Sequence, residues 1–408
     1  MQKIALPERP DWRARAEELG FTFADMGGEP YWDETSAYSF TLQEIEQDIE
    51  IPSTELHAMC REAVARAIDS EDWLTRLAIP REHWDFLRDS WTNGEPELYG
   101  RFDLAYDGSG PAKLLEYNAD TPTSLYESAS FQWLWLEEQQ GLGVLSPDTD
   151  QFNRIHEALV ERWAEIADQG TEIHFACDKD NPEDYATVEA LGWSAREAGM
   201  GAHLTALAGI GLTEDDQFAD DEDRVIGTLF KLYPWEDMLR DDFAPFLAVS
   251  QTRFIEPPWK AILSNKGILP LLWEMFPGHP NLLPAFFAAD VEAALRGDGA
   301  AAPAVAAAFA AAESQLRRGH VTKPIFSREG SGVTLYQQGA RPETNADDSY
   351  SHHPMIVQAL APLPEFDGFR PVLGAWMVGE SCVGLGIRED RARITHNLSR
   401  FKPHFIEA

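Results

Sequence analysis

The sequence predicts a mixed α/β fold of two or three packed subdomains: a helical N-terminal region, a small parallel sheet and a strand-rich C-terminal part. Three observations carry this expectation. At 408 residues the chain exceeds what one compact core usually holds. Between residues 150 and 245 the apolar runs alternate strand and helix, the order that builds a parallel sheet with helices on its faces. Beyond residue 320, short apolar runs follow one another with turns between them. The expected divisions are 1–150, 151–250 and 251–408.

Residues 10–95 read as mostly helical. PDWRARAEELGF stops at Gly20, and SFTLQEIEQDIEIPSTELHAMCREAVARAI repeats apolar residues at helical spacing. Ser53-Thr54-Glu55 and Pro80 are helix-start signals. TPTSLYESASFQWLWLEEQQ (121–140) opens on capping Thr and Ser and becomes an aromatic helix. QFNRIHEALVERWAEIADQG is a helix and TEIHFACD a strand. NPEDYATVEALGWSAREAGM is a helix with Asn181 as cap and Pro182 at its first position. GAHLTALA and DRVIGTLFKLYPWED each hold a strand. SNKGILPLLWEMF starts a helix near Lys266, and the alanine-rich stretch 284–319 reads as a peripheral helix, Gly-Asp-Gly turn and helix. VTKPIF, GVTLYQQ, PMIVQALAPL, GAWMVGE and SCVGLGIRED are strands.

Composition removes several function classes. A net charge of −36 argues against nucleic acid, whose phosphates need a basic surface. Charge of that sign would draw a cationic partner, and it would equally serve solubility alone. Three widely separated cysteines make no metal or CxxC spacing and suit a reducing compartment. No apolar signal region opens the sequence and no run approaches a membrane span, so a cytoplasmic protein is expected. The motifs GxSxG and HExxH do not occur.

Two constellations carry candidate chemistry. RFDLAYDGSGPAKLLEYNADTPTS (101–124) is a hairpin whose strands bear charge on one face. A turn at Ser109–Gly110 sets Asp103 opposite Glu116 and Arg101 opposite Asn118, with about 4.5–5.5 Å between opposed Cβ atoms. Opposed carboxylates repel unless a cation lies between them, and two acids with an amide suit Mg²⁺. A solvated hairpin face, with Arg101 neutralising one acid, is the alternative. The second constellation is VTKPIFSREGSGV (321–333): a strand with Lys323 runs into Ser327-Arg-Glu-Gly330-Ser331-Gly332. Such a loop can fold its backbone N–H groups over phosphates, or it is a simple β-turn. Lys266 could assist a phosphate or lie on the surface. The apolar strand holding Gln358 could present its backbone to an adenine edge, or be core strand with its amide in solvent. Arg388, after LGLGI, could clamp phosphate or complete a metal shell, and a solvated turn is the alternative.

Longer segments resemble the synthetase module of the glutathionylspermidine synthetase family, in particular its short stand-alone bacterial members described as acid–amine ligases. They are ERPDWR (8–13), GEPYWDE (28–34), YGRFDLAYDGSGPAKLLEYNADTPTSLYE (99–127), LFKLYPWE (229–236), SNKGILPLLWEMFPGHPNLLPAF (264–286), KPIFSREGSGV (323–333) and GIREDRARITHNLSRF (386–401). The resemblance implies an ATP-grasp fold in the permuted order of glutathione synthetases, with a pre-ATP-grasp subdomain at 151–250. It implies Asp103, Glu116 and Asn118 as Mg²⁺ ligands, and Arg101 and Arg388 as catalytic arginines. It further implies Lys266, Lys323, the lid Ser327–Gly332 and Gln358 as the ATP site, and Thr121 and Ser124 as contacts of the acid substrate. The alanine-rich 288–314 resembles an insertion and the bifunctional members' amidase domain has no counterpart, so substrate identity stays open.

The implied reaction is ATP- and Mg²⁺-dependent amide formation through an acyl phosphate. Its expected partners are a peptide-like carboxylic acid, with glutathione a candidate, and an amine, with a polyamine a candidate. A catalytically silent binding or regulatory protein on the same fold is the alternative from another class. A glycosidase using paired carboxylates would explain the acids but neither the lysines nor the glycine loop.

Overall fold

The computed structural model describes residues 1–297, 302–345, 347, 349–396 and 399–408. Among them, four sheets of three or more strands organise the chain. A three-stranded sheet joins Gln2–Ala5, Ser36–Phe40 and His404–Ile406, so both termini meet. The short N-terminal strand precedes the helical region and was not legible in the sequence. Buried ion pairs fix this corner. Arg9 holds Glu34 by its backbone and guanidinium, and Trp32 donates its indole N–H to the same carboxylate.

The middle of the chain forms the expected parallel sheet. Its order is Arg253–Ile255, Thr228–Lys231, Glu172–Cys177, Gly201–Ala206, all parallel. Helix Pro182–Glu197 crosses from Glu172–Cys177 to Gly201–Ala206. Asn181 caps it by accepting from the backbone N–H of Glu183 and Asp184, a contribution of about 1 kcal/mol. Those two acids lie in the first turn, where the helix dipole favours them.

Two antiparallel five-stranded sheets frame the site. One runs Arg400–Lys402, Ser381–Asp390, Arg370–Val378, Tyr99–Ala105, Lys113–Asn118. It therefore draws on the early hairpin and on the last forty residues alike. The other runs Ala285–Phe287, Met355–Ala359, Gly319–Pro324, Thr334–Gln337, Glu343–Thr344. The alanine-rich stretch is not peripheral. Helix Pro303–Arg318 buries Phe309, Ala312 and Leu316 against Phe286, Val357 and Ala359, covering one face of this second sheet. Of the expected Gly-Asp-Gly turn only Gly297 is described, with φ 68 after helix Ala288–Arg296; residues 298–301 lie outside the described set.

The hairpin alternates as a half-buried strand pair must. Phe102, Leu104, Leu114 and Tyr117 enter the main core, where Phe102 stacks on Tyr117 with ring centres 3.9 Å apart. Arg101, Asp103, Glu116 and Asn118 line the cavity on the other face. The register pairs Arg101 with Asn118 and Asp103 with Glu116 as the turn predicts. It then shifts by one, so Leu104 faces Leu114 and Leu115 is the extra residue of a bulge.

Candidate active site

The acid-bearing hairpin face, the parallel sheet and the second five-stranded sheet enclose one cavity of about 360 Å³, within the range of small-molecule sites. Twelve of the fourteen sequence-predicted residues line it: Arg101, Asp103, Glu116, Asn118, Thr121, Ser124, Lys266, Lys323, Ser327, Gly330, Gln358 and Arg388. Ser331 and Gly332 do not. Their backbone N–H groups bond within the loop region, Ser331 to the Arg328 carbonyl and Gly332 to the Asp347 carbonyl. The expected nest of lid amides is thus partly spent. What the loop does offer is the Ser327 hydroxyl, buried and without a partner. Gly330 (φ +70) has no room for a side chain: an added Cβ would lie 2.6 Å from Ile394 Cγ2 and 2.7 Å from the Thr395 carbonyl.

The hairpin bulge creates the cationic end. Around Leu115 the carbonyls leave the ladder and find side chains instead. Lys323 Nζ donates to Leu115 O and to Gln358 Oε1, both at 2.9 Å, and Gln358 Nε2 donates to Leu114 O at 3.0 Å. Lys266 Nζ donates to Ser327 O at 2.7 Å and pairs with Glu116 at 3.3 Å. Burial pushes Lys323 down to about 8, with Glu116 opposing the shift. Burial alone would raise the Glu116 carboxyl, but Lys266, Lys323 and Arg388 together hold it well below the usual carboxylate range.

Arg101 anchors the centre. Its Nε donates to Asp103 Oδ1 at 2.8 Å and its Nη1 to the Thr123 carbonyl at 2.7 Å. Arg388 reaches the other oxygen of Asp103 at 3.1 Å. Gly374, opposite Asp103, leaves the space: a Cβ there would stand 2.8 Å from Arg101 Cδ. The loop 121–124 is tied down at both ends. Tyr99 donates its hydroxyl to Pro122 O, and Asp120 holds Lys231 and, at 2.8 Å, the Trp235 backbone N–H.

The proposed metal donors fit a hard cation. Asp103 and Glu116 face each other across two strands, and half-buried Asn118, opposite Arg101, lines the same cavity. Its Nδ2 is without a protein partner, and as a donor it would point away from a cation held by the amide oxygen. Two carboxylates and the Asn118 amide oxygen are the hard oxygen donors that such an ion prefers. Among the described residues no group of three His, Cys, Asp or Glu converges as a metal site, here or elsewhere, so any ion here would rest on two carboxylates and an amide.

Strand Met355–Ala359 is internal, paired with Ala285–Phe287 on one edge and Gly319–Pro324 on the other, so its paired backbone groups are taken up by the sheet. The Gln358 side chain is committed to Lys323 and Leu114. Gln358 and Ala359 line the cavity at the end of the strand, and Leu360, Ala361 and Leu363 line it just beyond.

The opposite end of the cavity is acidic, and individual residues there were missed in the sequence. Glu183, Asp184, Glu236 and Glu329 line it, beside Tyr31 and Ser124. Burial, then Glu183, pushes Asp184 up to about 7. Burial also raises Glu236 and Glu329. The nearest lid cation, Arg328, stands 4.0 Å from Glu236 and 3.9 Å from Asp237. No local pattern announces this cluster, because it comes from a helix cap, a short helix and the loop around Glu329. Tyr31 lies inside the quoted GEPYWDE, where a role for it was available to be asked.

Comparison with known proteins gives the family. A family model described as "Glutathionylspermidine synthase preATP-grasp" matches residues 3–407. A Haemophilus influenzae protein named "Putative acid--amine ligase" is 38% identical over 98% of both chains. Trypanothione synthetase of Crithidia fasciculata is 28% identical over 84% of this chain. The bifunctional glutathionylspermidine synthetase/amidase of Escherichia coli is 24% identical over 97% of it. The matches span 52% and 63% of those two longer relatives. In three dimensions, a glutathione synthetase-like effector from Globodera pallida superposes with a TM-score of 0.54 over 98% of both chains at 11% identity, a likeness of fold. No helix among the described residues is long and apolar enough to cross a membrane. The chain belongs to the glutathionylspermidine synthase family.

Proposed function

We propose that the protein is an ATP-dependent ligase that joins a carboxylic acid to an amine, on an ATP-grasp fold of permuted, glutathione-synthetase-like order. The observation that carries this is the charge pattern of a single cavity. Buried Lys266 and Lys323 and half-buried Arg388 stand at one end, four carboxylates with Arg328 beside them at the other, and Arg101 between. A polyanion, a carboxylate and a cation each find their complement in that order.

In this account ATP lies between the two sheets, its base against Leu360–Leu363 and its phosphates on Lys266, Lys323 and the Ser327 hydroxyl. Asp103, Glu116 and Asn118 would hold Mg²⁺, which supplies charge neutralisation at the phosphates. Arg101, fork-shaped and always charged, orients the substrate carboxylate. That carboxylate attacks the γ-phosphorus, the bond to the β–γ bridging oxygen breaks, and ADP leaves. The amine nitrogen then attacks the acyl carbon of the acyl phosphate, and inorganic phosphate departs. The chain's part is positioning and charge, with little covalent work.

Glu183, Asp184, Glu236 and Glu329 favour an amine that is cationic and carries more than one charge, as a polyamine does. The relatives named as glutathionylspermidine and trypanothione synthetases support glutathione as the first acid to test. A silent binder has no physical need to bury these opposed charges, each of which costs folding energy. The test is ADP release by the purified protein with MgATP across a panel of acids and amines, beginning with glutathione and spermidine. Release that requires both partners supports the proposal. ATP binding without release in any pair contradicts it.

A further inference from the structure

Amide formation leaves a proton to be placed. An amine arrives as an ammonium, and its nitrogen has no lone pair until a proton is removed. Arg101, Lys266 and Arg388 are cations and accept none, and Lys323 Nζ is committed to Leu115 O and Gln358 Oε1. A chain of hydroxyls leads away from the acidic end of the cavity. Ser124 Oγ lies 3.2 Å from Tyr31 Oη and donates to Glu183 Oε1 at 3.3 Å. Tyr31 Oη donates to Glu127 Oε1 at 2.6 Å. Ser124, Tyr31 and Glu127 are buried, yet Ser124 and Tyr31 line the cavity while Glu127 sits behind them. Ser124 also holds a left-handed backbone (φ 67), the costly conformation for a residue with a side chain. It is kept there by the Ser128 N–H and hydroxyl on its carbonyl.

We propose that Glu127, acting through Tyr31 and Ser124, takes up the proton released by the attacking amine. This rests on the ligase function proposed above. Ser124 turns its hydroxyl proton from Glu183 to Tyr31 Oη. The ammonium then passes one proton to Ser124 Oγ as Ser124 passes its own to Tyr31 Oη and Tyr31 passes its own to Glu127 Oε1. The freed nitrogen lone pair forms the C–N bond, the C–O bond to phosphate breaks, and the second proton that the nitrogen sheds leaves on the departing phosphate as hydrogen phosphate. Charge balances: the ammonium becomes neutral and the carboxylate becomes a carboxylic acid.

The surroundings suit the task. Three elements place titratable or charged groups against Glu127: Tyr31 from the N-terminal motif, Glu183 from the helix cap and Arg101 from the hairpin. Burial first, and Glu183 second, raise the Glu127 carboxyl above the ordinary range, against Tyr31 and Arg101. A base with affinity near the working pH transfers protons most effectively. Tyr31 itself is held far above its usual value by burial and the neighbouring acids, so it hands protons on and does not store a charge.

The test compares wild type, Tyr31→Phe and Glu127→Gln in ADP release with MgATP and the acid–amine pair giving the fastest wild-type turnover, glutathione with spermidine being the first probe. Wild-type kcat should rise with pH as Glu127 ionises. Both variants should lose about 10²-fold in kcat, keep the KM for ATP, and lose that rise. Melting temperature with and without MgATP checks folding. If Glu127→Gln fails to fold, Tyr31→Phe, which removes one oxygen, decides alone. Wild-type kcat and pH profile in Tyr31→Phe overturn the relay, as does a change confined to the amine KM. A wild type that releases no ADP with any pair overturns the ligase function itself, and the relay with it.

Discussion

Replacing Arg101 tests the centre of the site, and the structure sets the size of the effect. Its guanidinium makes three hydrogen bonds: Asp103 Oδ1 at 2.8 Å, Asp103 Oδ2 at 3.4 Å and Thr123 O at 2.7 Å. Arg101→Ala removes all three and leaves Asp103 with Arg388 alone. Removing one member of a buried pair costs about 3–5 kcal/mol, and the remaining Arg388 places this case at the lower end. Losing one preorganised charge costs about 10²–10³ in rate. Arg101→Lys keeps the charge but cannot span the carboxylate and the Thr123 carbonyl together. It should therefore recover much of the stability and little of the rate. Thermal melting separates the first effect and ADP release the second. Turnover of Arg101→Ala within a few-fold of wild type would refute the role given to Arg101.

Three further outcomes are expected. Gly330→Ala meets Ile394 and the Thr395 carbonyl at a left-handed position, costs about 1–2 kcal/mol, and should raise the KM for ATP, read from initial rates. Lys231→Met strands the buried Asp120 and should lower stability by about 3–5 kcal/mol in urea unfolding, with Lys231→Met/Asp120→Leu recovering part of the loss. The third concerns Lys323, whose ammonium is pushed down to about 8 by burial. Its folded value lies below the unfolded one of 10.5, so the folded state binds fewer protons between the two. This group alone therefore makes stability rise with pH across that window. Phosphate binding has the opposite sign, since it needs the charged lysine. The Kd for ATP should increase as pH passes through about 8 in wild type, and that step should vanish in Lys323→Met.

The hairpin was legible because a tight turn fixes register and register fixes which charges oppose. The pairs Arg101–Asn118 and Asp103–Glu116 follow from the turn alone. The bulge at Leu115 does not, since one extra residue leaves no mark in an apolar run. Yet that bulge frees the carbonyls that seat Lys323 and Gln358. Helix Pro182–Glu197 was readable from Asn181 and Pro182, but nothing local said that its first-turn acids would border Ser124. The sheet position of the Gln358 strand was not legible for a related reason: an apolar strand reads the same whether it lies at an edge or in the interior of a sheet. Contacts between distant segments, such as Tyr31 with Glu127 and Lys231 with Asp120, carry no periodic signal at all.

The most direct measurement of the proposed chemistry is the fate of the acid's oxygen. A substrate labelled with ¹⁸O in its carboxylate, incubated with MgATP and the amine, should transfer one labelled oxygen to inorganic phosphate for every amide formed. Amide formation with unlabelled phosphate, or ADP release indifferent to the acid, would contradict the acyl-phosphate ligase built on Arg101, Lys266 and Lys323.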